Sequence, residues 1–277
     1  MKPYLAFSPG SISTIFSPYF DNDILKTGSL GLSFTIDQGV FCDIQVSEDE
    51  GTFFNNRHMH ISAVDYVAHA LAPSPVSIYF RTSLPIGSGF GVSAACALSC
   101  AFALNRFFDL GRSEEELLKI AHAADALSRT GLSDVITQYT GGVILRYKKN
   151  HPFVVKSLPG FHNQSLCAYL VDTIETKKVL QNESLLSRIQ QVGDSIVATI
   201  DQHGFDSIDS LIRASYIFSQ ESTLLKEAGL KEILEKINSK NVEASMIMLG
   251  KAFFSTQVFP DFHCIPIKMS DERTRYL

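Results

Sequence analysis

Pro85-Ile86-Gly87-Ser88-Gly89-Phe90-Gly91-Val92-Ser93-Ala94-Ala95 is the stretch on which the reading of this chain turns. Upstream, Val76, Ile78 and Phe80 alternate with Ser77, Tyr79 and Arg81, the period of a strand with one covered face. Downstream of Gly91 the pattern is helical to about Phe108. A turn with glycine at alternate positions between a strand and a helix suits a phosphate. Glycine permits positive φ and bares backbone N–H groups, and a helix start adds unpaired donors and about half a positive charge. The nucleotide-binding set is therefore Pro85, Gly87, Ser88, Gly89, Phe90, Gly91, Val92, Ser93 and Ala94. Ser93, in the first helical turn, can reach a phosphate oxygen or a phosphate-bound Mg²⁺. Spelling excludes two other phosphate loops: Val92 stands where a Walker loop needs lysine and where a dinucleotide fingerprint needs its third glycine. The structural alternative is a turn that only packs the helix against the strand.

Away from this loop, composition narrows the class. A chain of 277 residues, 45% of them hydrophobic, buries a large core and suits two lobes. A net charge of −5 offers no basic field for a nucleic acid, so an anionic ligand must be held by local donors. Cys42, Cys96, Cys100, Cys167 and Cys264 are odd in number, scattered and without a CxxC pair, which argues against a disulfide framework or zinc site and fits a reducing cytoplasm. The N-terminal residues read as a strand rather than a secretory signal, and the longest apolar run, Val92 to Leu104, is too short to span a bilayer. No membrane partner is expected. Oligomeric state stays open, a homodimer included.

The first third reads mostly as strands, at Tyr4–Phe7, Leu32–Ile36, Val40–Val46 and Val76–Thr82. Ser113-Glu114-Glu115-Glu116 supplies a capping box for a helix to about Ser128, and Val143–Tyr147 follows a Gly141-Gly142 turn as a strand. Polar residues Lys148 to Pro152 mark a lobe junction near residue 155, giving lobes 1–155 and 156–277. The second half reads as a strand at Cys167–Val171, amphipathic helices between about 182 and 256, and a last strand near Cys264–Ile267.

The Pro85–Ala95 string resembles the phosphate loop of the GHMP kinases, Pro-x-x-x-Gly-Leu-Gly-Ser-Ser-Ala-Ala, differing at Phe90 and Val92. Ser8-Pro9-Gly10 is similar to that family's first motif, with Ser11 where mevalonate kinases carry a lysine. Leu25–Gly31, Thr130–Val135 and Ala244–Gly250 resemble the pantoate kinase branch, in which a histidine would stand at Ser11 and an arginine at Leu30. The resemblance implies an α+β, two-lobed GHMP kinase fold, with a β-rich N-terminal lobe and a helix-rich C-terminal lobe. It also implies phosphoryl transfer from ATP with Mg²⁺ to pantoate, giving 4-phosphopantoate for coenzyme A synthesis. The alternatives are another hydroxy acid such as homoserine or mevalonate, or a sensor that kept the fold without turnover.

Asp134 follows a glycine-containing turn, so it reads either as a helix N-cap or, by the resemblance, as the catalytic carboxylate. Asp125 borders an apolar helix face, which is ordinarily solvated; the resemblance makes it, with Ser93, a magnesium ligand. Lys26, Thr27, Gly28, Ser29 and Arg129 are the substrate-binding candidates. His58 and His60 alternate like a metal pair but lack an evident third ligand and read as loop histidines.

Overall fold

The computed structural model describes residues 4–46, 50–128, 132–172, 182–240 and 242–277. Two long strands, β1 (Ala6–Tyr19) and β2 (Gly28–Val46), pair antiparallel at its centre. Sequence marks only the start of β1, and Leu32–Ile36 and Val40–Val46 within β2, as strand, for a physical reason. Both are buried on both faces, so polar and apolar residues do not alternate, and Ser, Thr, Gly and Pro supply most of Ser8 to Ser17. The pairing slips between Pro9 and Ser11 and again between Ser13 and Ile15, irregularities that flank two serines used below.

Strands β3 (Gly51–Phe54) and β4 (Arg57–His58) precede α1 (Ser62–Leu71), and β5 (Val76–Arg81) leads into the glycine turn. Helices α2 (Val92–Phe107), α3 (Glu114–Ser128) and α4 (Asp134–Thr140) follow. The α3 capping box forms as expected: Glu116 N–H donates to Ser113 Oγ at 3.3 Å, and Ser113 N–H to Glu116 Oε2 at 2.9 Å. Next come β6 (Val143–Arg146), β7 (Val155–Ser157), β8 (Ser165–Asp172), α5 (Glu183–His203), α6 (Ile208–Glu221), α7 (Leu224–Glu227) and α8 (Lys231–Asn238). The chain ends on β9 (Ala244–Ile247), β10 (Lys251–Ser255), β11 (Cys264–Ser270) and β12 (Arg275–Tyr276).

One sheet runs through both halves in the order β4-β3-β5-β2-β11-β8-β10-β9. The join is β11, which pairs with β8 through Cys264–Lys268 and with β2 through Met269 and Ser270. At the C-terminus β12 pairs with β1.

Two expectations are corrected. Residues 244–255, expected to be helical, form the β9–β10 hairpin; its strands are almost wholly buried, which removes the alternation that would have announced them. Cys167 and Cys264, expected to be reduced, are disulfide-bonded across β8 and β11, 97 positions apart in sequence. Cys264 faces Tyr169 and Cys167 faces Pro266, so the two sulfurs are diagonal neighbours on one face of the sheet. Cys42, Cys96 and Cys100 are free and buried.

Candidate active site

Gly87, Gly89 and Gly91 all take positive φ, at 74°, 86° and 63°, so the turn has the backbone that its glycine spacing predicts. Gly91 is the N-cap of α2, and no side chain caps that helix. A β-carbon on Gly87 would meet nothing within 4 Å, whereas one on Gly89 would lie 2.5 Å from the Ile247 Cγ2. The reciprocal contact is Gly250, whose β-carbon would sit 2.5 Å from the Ser88 carbonyl. Turn 248–250 therefore presses on the glycine loop, and Met248 N–H bonds the Ser13 carbonyl at 3.2 Å. That is what the Met-Leu-Gly segment does here.

Between loop and turn lies a cavity of about 440 Å³, within the range of small-molecule sites. Gly87 and the run Gly89 to Ala94 line it, together with Asp125, Asp134 and Ser29. Pro85 and Ser88 are not on its wall; Ser88 is buried and its hydroxyl turns toward the Ile86 carbonyl at 3.4 Å. The Phe90 ring is buried beneath the loop, and the Phe90 carbonyl accepts the Ser11 N–H at 3.0 Å. Asp125, on α3, is 1% exposed yet reaches the cavity wall, as does half-buried Ser93.

Asp134 is not a helix cap. Ser133 occupies that position, and no side chain bonds the α4 terminus. Instead Asp134 Oδ1 accepts hydrogen bonds from Ser11 Oγ at 3.1 Å and Ser13 Oγ at 3.2 Å. The two serines share one face of β1 because strand side chains repeat every second residue. Burial raises the Asp134 carboxyl above the usual aspartate range, opposed by the Arg146 charge and by the two hydroxyls.

Arg146, at the end of β6, is 1% exposed. Its Nε donates to the Ser29 carbonyl at 3.2 Å, and its Nη1 to Ser33 Oγ at 2.7 Å and Thr137 Oγ1 at 3.1 Å. Nη2 has no partner among the described residues. Burial pushes the guanidinium down to about 10, against the pull of Asp134.

The substrate-binding candidates divide. Ser29 lines the cavity and shares a 2.8 Å hydrogen bond with Ser133. Thr27 is buried behind it: its hydroxyl accepts the Asp21 N–H at 2.9 Å, and its carbonyl lies 2.9 Å from His122 Nε2. A carbonyl only accepts, so Nε2 carries the proton, and burial keeps His122 neutral by lowering its pKa. Gly28 packs on Pro152. Lys26 is not on the cavity wall and lies 3.6 Å from Asp23. Arg129, with Thr130 and Gly131, lies outside the described residues. His60 lines the cavity and faces Asp65 at 3.1 Å, while His58 sits edge-on to Phe53; no group of three metal-ligating residues forms among the described residues.

Ser13, Arg146 and Gln138 belong to no sequence motif, and Ser11 stands out in the sequence only as a departure from the family pattern. Arg146 had left a signal, a lone cation closing the apolar run Val143-Ile144-Leu145. Gln138 had left none.

Residues 58–142 match the family described as GHMP kinases N terminal domain, a span that holds the glycine loop, Asp125 and Asp134. The chain is 30% identical to a pantoate kinase of Methanocaldococcus jannaschii over 253 residues, 90% of each chain. It is 28% identical to a pantoate kinase of Thermococcus kodakarensis over 90% of this chain and 86% of that one. Among solved structures, a phosphotransferase related to the CoA biosynthesis pathway superposes with a TM-score of 0.82 at 25% identity, covering 98% of this chain and 97% of that one. A mevalonate-3-kinase of Thermoplasma acidophilum shares the fold at a TM-score of 0.69 and 12% identity, covering 99% of each chain. With these likenesses running nearly end to end, the chain belongs to the GHMP kinases, in the family of the pantoate kinases.

Proposed function

We infer that the protein phosphorylates pantoate to 4-phosphopantoate with ATP. The observation that carries this reading is Asp134, a cavity-lining carboxylate held by two serine hydroxyls, in the same 440 Å³ cavity as the uncapped start of α2. The kinship to pantoate kinases supplies the acceptor.

The glycine loop and the α2 N-terminus would cradle the nucleotide phosphates. Ser93 Oγ and the Asp125 carboxylate suit Mg²⁺: both are hard oxygen donors on the cavity wall, and without an all-protein cage among the described residues the ion would share its remaining sites with phosphate oxygens and water. Bound magnesium supplies charge neutralisation at those phosphates. The acceptor hydroxyl oxygen forms the new O–P bond as the bond from the γ-phosphorus to the leaving oxygen of ADP breaks, and the hydroxyl proton passes to Asp134. A carboxylate whose pKa is raised by burial is better matched to that task than an exposed one. The substrate finds a hydroxyl partner in Ser29, whose carbonyl the buried Arg146 holds from behind.

The test is ATP turnover against a panel of hydroxy acids, with product mass. Pantoate should be turned over well ahead of homoserine and mevalonate, because a site shaped for one acid leaves buried polar groups unpaired with another. If homoserine or mevalonate leads, the acceptor is reassigned. If no acid stimulates turnover, the sensor reading replaces this one.

A further inference from the structure

Gln138, on the second turn of α4, is fully buried and belongs to no motif identified in the sequence. Its side-chain nitrogen donates to the Gly91 carbonyl at 2.8 Å and to Ser11 Oγ at 3.0 Å. The amide orientation is set by chemistry, since an oxygen placed there would oppose the Gly91 carbonyl, which can only accept. Both amide protons are thereby used. Ser11 Oγ, already accepting from Gln138, is left to donate its own proton, and Asp134 Oδ1 is 3.1 Å away. Ser13 donates to the same oxygen, so Oδ1 is loaded and Oδ2 is the oxygen left for other work.

The cluster is packed as one unit against a single glycine. A β-carbon on Gly91 would lie 2.3 Å from Ser11 Oγ, 2.6 Å from Gln138 Nε2 and 3.3 Å from Asp134 Cγ. Gln138 is itself anchored, because its backbone carbonyl accepts the Thr274 N–H at 2.8 Å and the Thr274 hydroxyl at 3.1 Å. Its Oε1 is buried with no partner among the described residues. An unpaired buried amide oxygen costs stability that an apolar side chain of similar size would not incur. A role for the nitrogen explains why a glutamine is there.

We propose that Gln138 is a positioning residue that couples the phosphate loop to the catalytic carboxylate, by bridging the Gly91 carbonyl and the Ser11 hydroxyl so that Ser11 donates to Asp134 Oδ1 and Oδ2 faces the acceptor hydroxyl. This rests on Asp134 being the base. The charged groups around Asp134 are Arg146 of β6 and Asp125 of α3, which lines the same cavity; the amide of Gln138 reaches Asp134 through Ser11.

The test is a double-mutant cycle in the full-length protein, with pantoate and ATP as substrates. Gln138→Leu, or Gln138→Met where leucine does not pack, is expected to lower kcat about tenfold, the size of one lost hydrogen bond to a charged group. The pantoate KM, and the ATP Kd measured by calorimetry, should stay within about twofold. Ser11→Ala should lower kcat by a similar factor, and the double variant should be no slower than the slower single one, because both remove the same donor. A purely structural glutamine would give multiplying losses, or would move Kd and Tm instead of kcat, and either outcome overturns the proposal. Wild-type kcat in Ser11→Ala overturns it whether or not the Gln138 variants fold. Asp134→Asn, run in parallel, separates the two readings. Retained turnover there removes the base assignment itself; its loss beside an unimpaired Ser11→Ala removes only the coupling.

Discussion

A carboxylate made less acidic by burial and then braced by two hydroxyls carries opposite consequences for stability and for chemistry. Because the folded-state pKa of Asp134 lies above its unfolded value, folding favours the protonated form. Its contribution is fully favourable below the ordinary aspartate range and is lost as pH rises through the raised folded value, so at neutral pH the charge is a net cost. Asp134→Asn should therefore keep or raise Tm at pH 7, as no helix cap is lost, while turnover falls by about 10²-fold or more. Thermal melts and steady-state rates on the same sample check both halves. In the wild type, the acidic limb of kcat/KM should sit above the range of an exposed aspartate, and a pH–rate profile reads it directly. Arg146→Lys keeps a cation but loses the planar fork that bonds Ser29, Ser33 and Thr137. Because Arg146 is buried and not on the cavity wall, the change leaves those acceptors poorly paired and should lower Tm by several degrees, which a thermal melt checks.

Among the elements, the glycine turn separates two jobs that its sequence presents as one. Gly89 is needed by the protein, since its missing side chain makes room for Ile247 and Met248 of the hairpin turn. Gly89→Val should lower Tm together with ATP affinity. Gly87 faces open space, so Gly87→Ala tests phosphate approach more cleanly. Its positive φ of 74° should cost about 1–2 kcal/mol, a few degrees in Tm, while the ATP Kd rises about tenfold or more. Calorimetry with ATP beside a melt distinguishes the two variants. The β8–β11 disulfide closes a span of 97 residues and constrains the unfolded chain accordingly. Cys264→Ser should lower stability by about 2–4 kcal/mol, and reductant should lower the Tm of the wild type but not of the variant.

For the whole molecule, the last strands complete what the first strands begin. β12 pairs with β1, β11 with β2, and Leu277 N–H bonds the Leu5 carbonyl at 3.0 Å. A fragment ending at residue 155 would expose the β1 edge and strip β2 of β11, leaving apolar surface and unpaired backbone. It should be insoluble or lack a cooperative melt, even though it contains the glycine loop, Asp125 and Asp134. Circular dichroism and a thermal scan of residues 1–155 decide this.

What residue order determined here is whatever local chemistry dictates. The glycine loop was legible because positive φ at alternate positions demands glycine, α2 and α3 because apolar spacing and a capping box act within a few residues, and β5 because one of its faces meets a different environment from the other. Kinship was legible from the same motifs. Tertiary structure alone decided the rest. The serines that hold Asp134 lie 123 and 121 residues before it, and Gln138 reaches Gly91 across 47. The disulfide depends on the register of two strands far apart in the chain, and the hairpin at 244–255 is buried on both faces, so no alternation marks it. Hydrogen bonds and close packing act over a few ångströms of space, and nothing in the order of residues measures that distance until the sheet has closed.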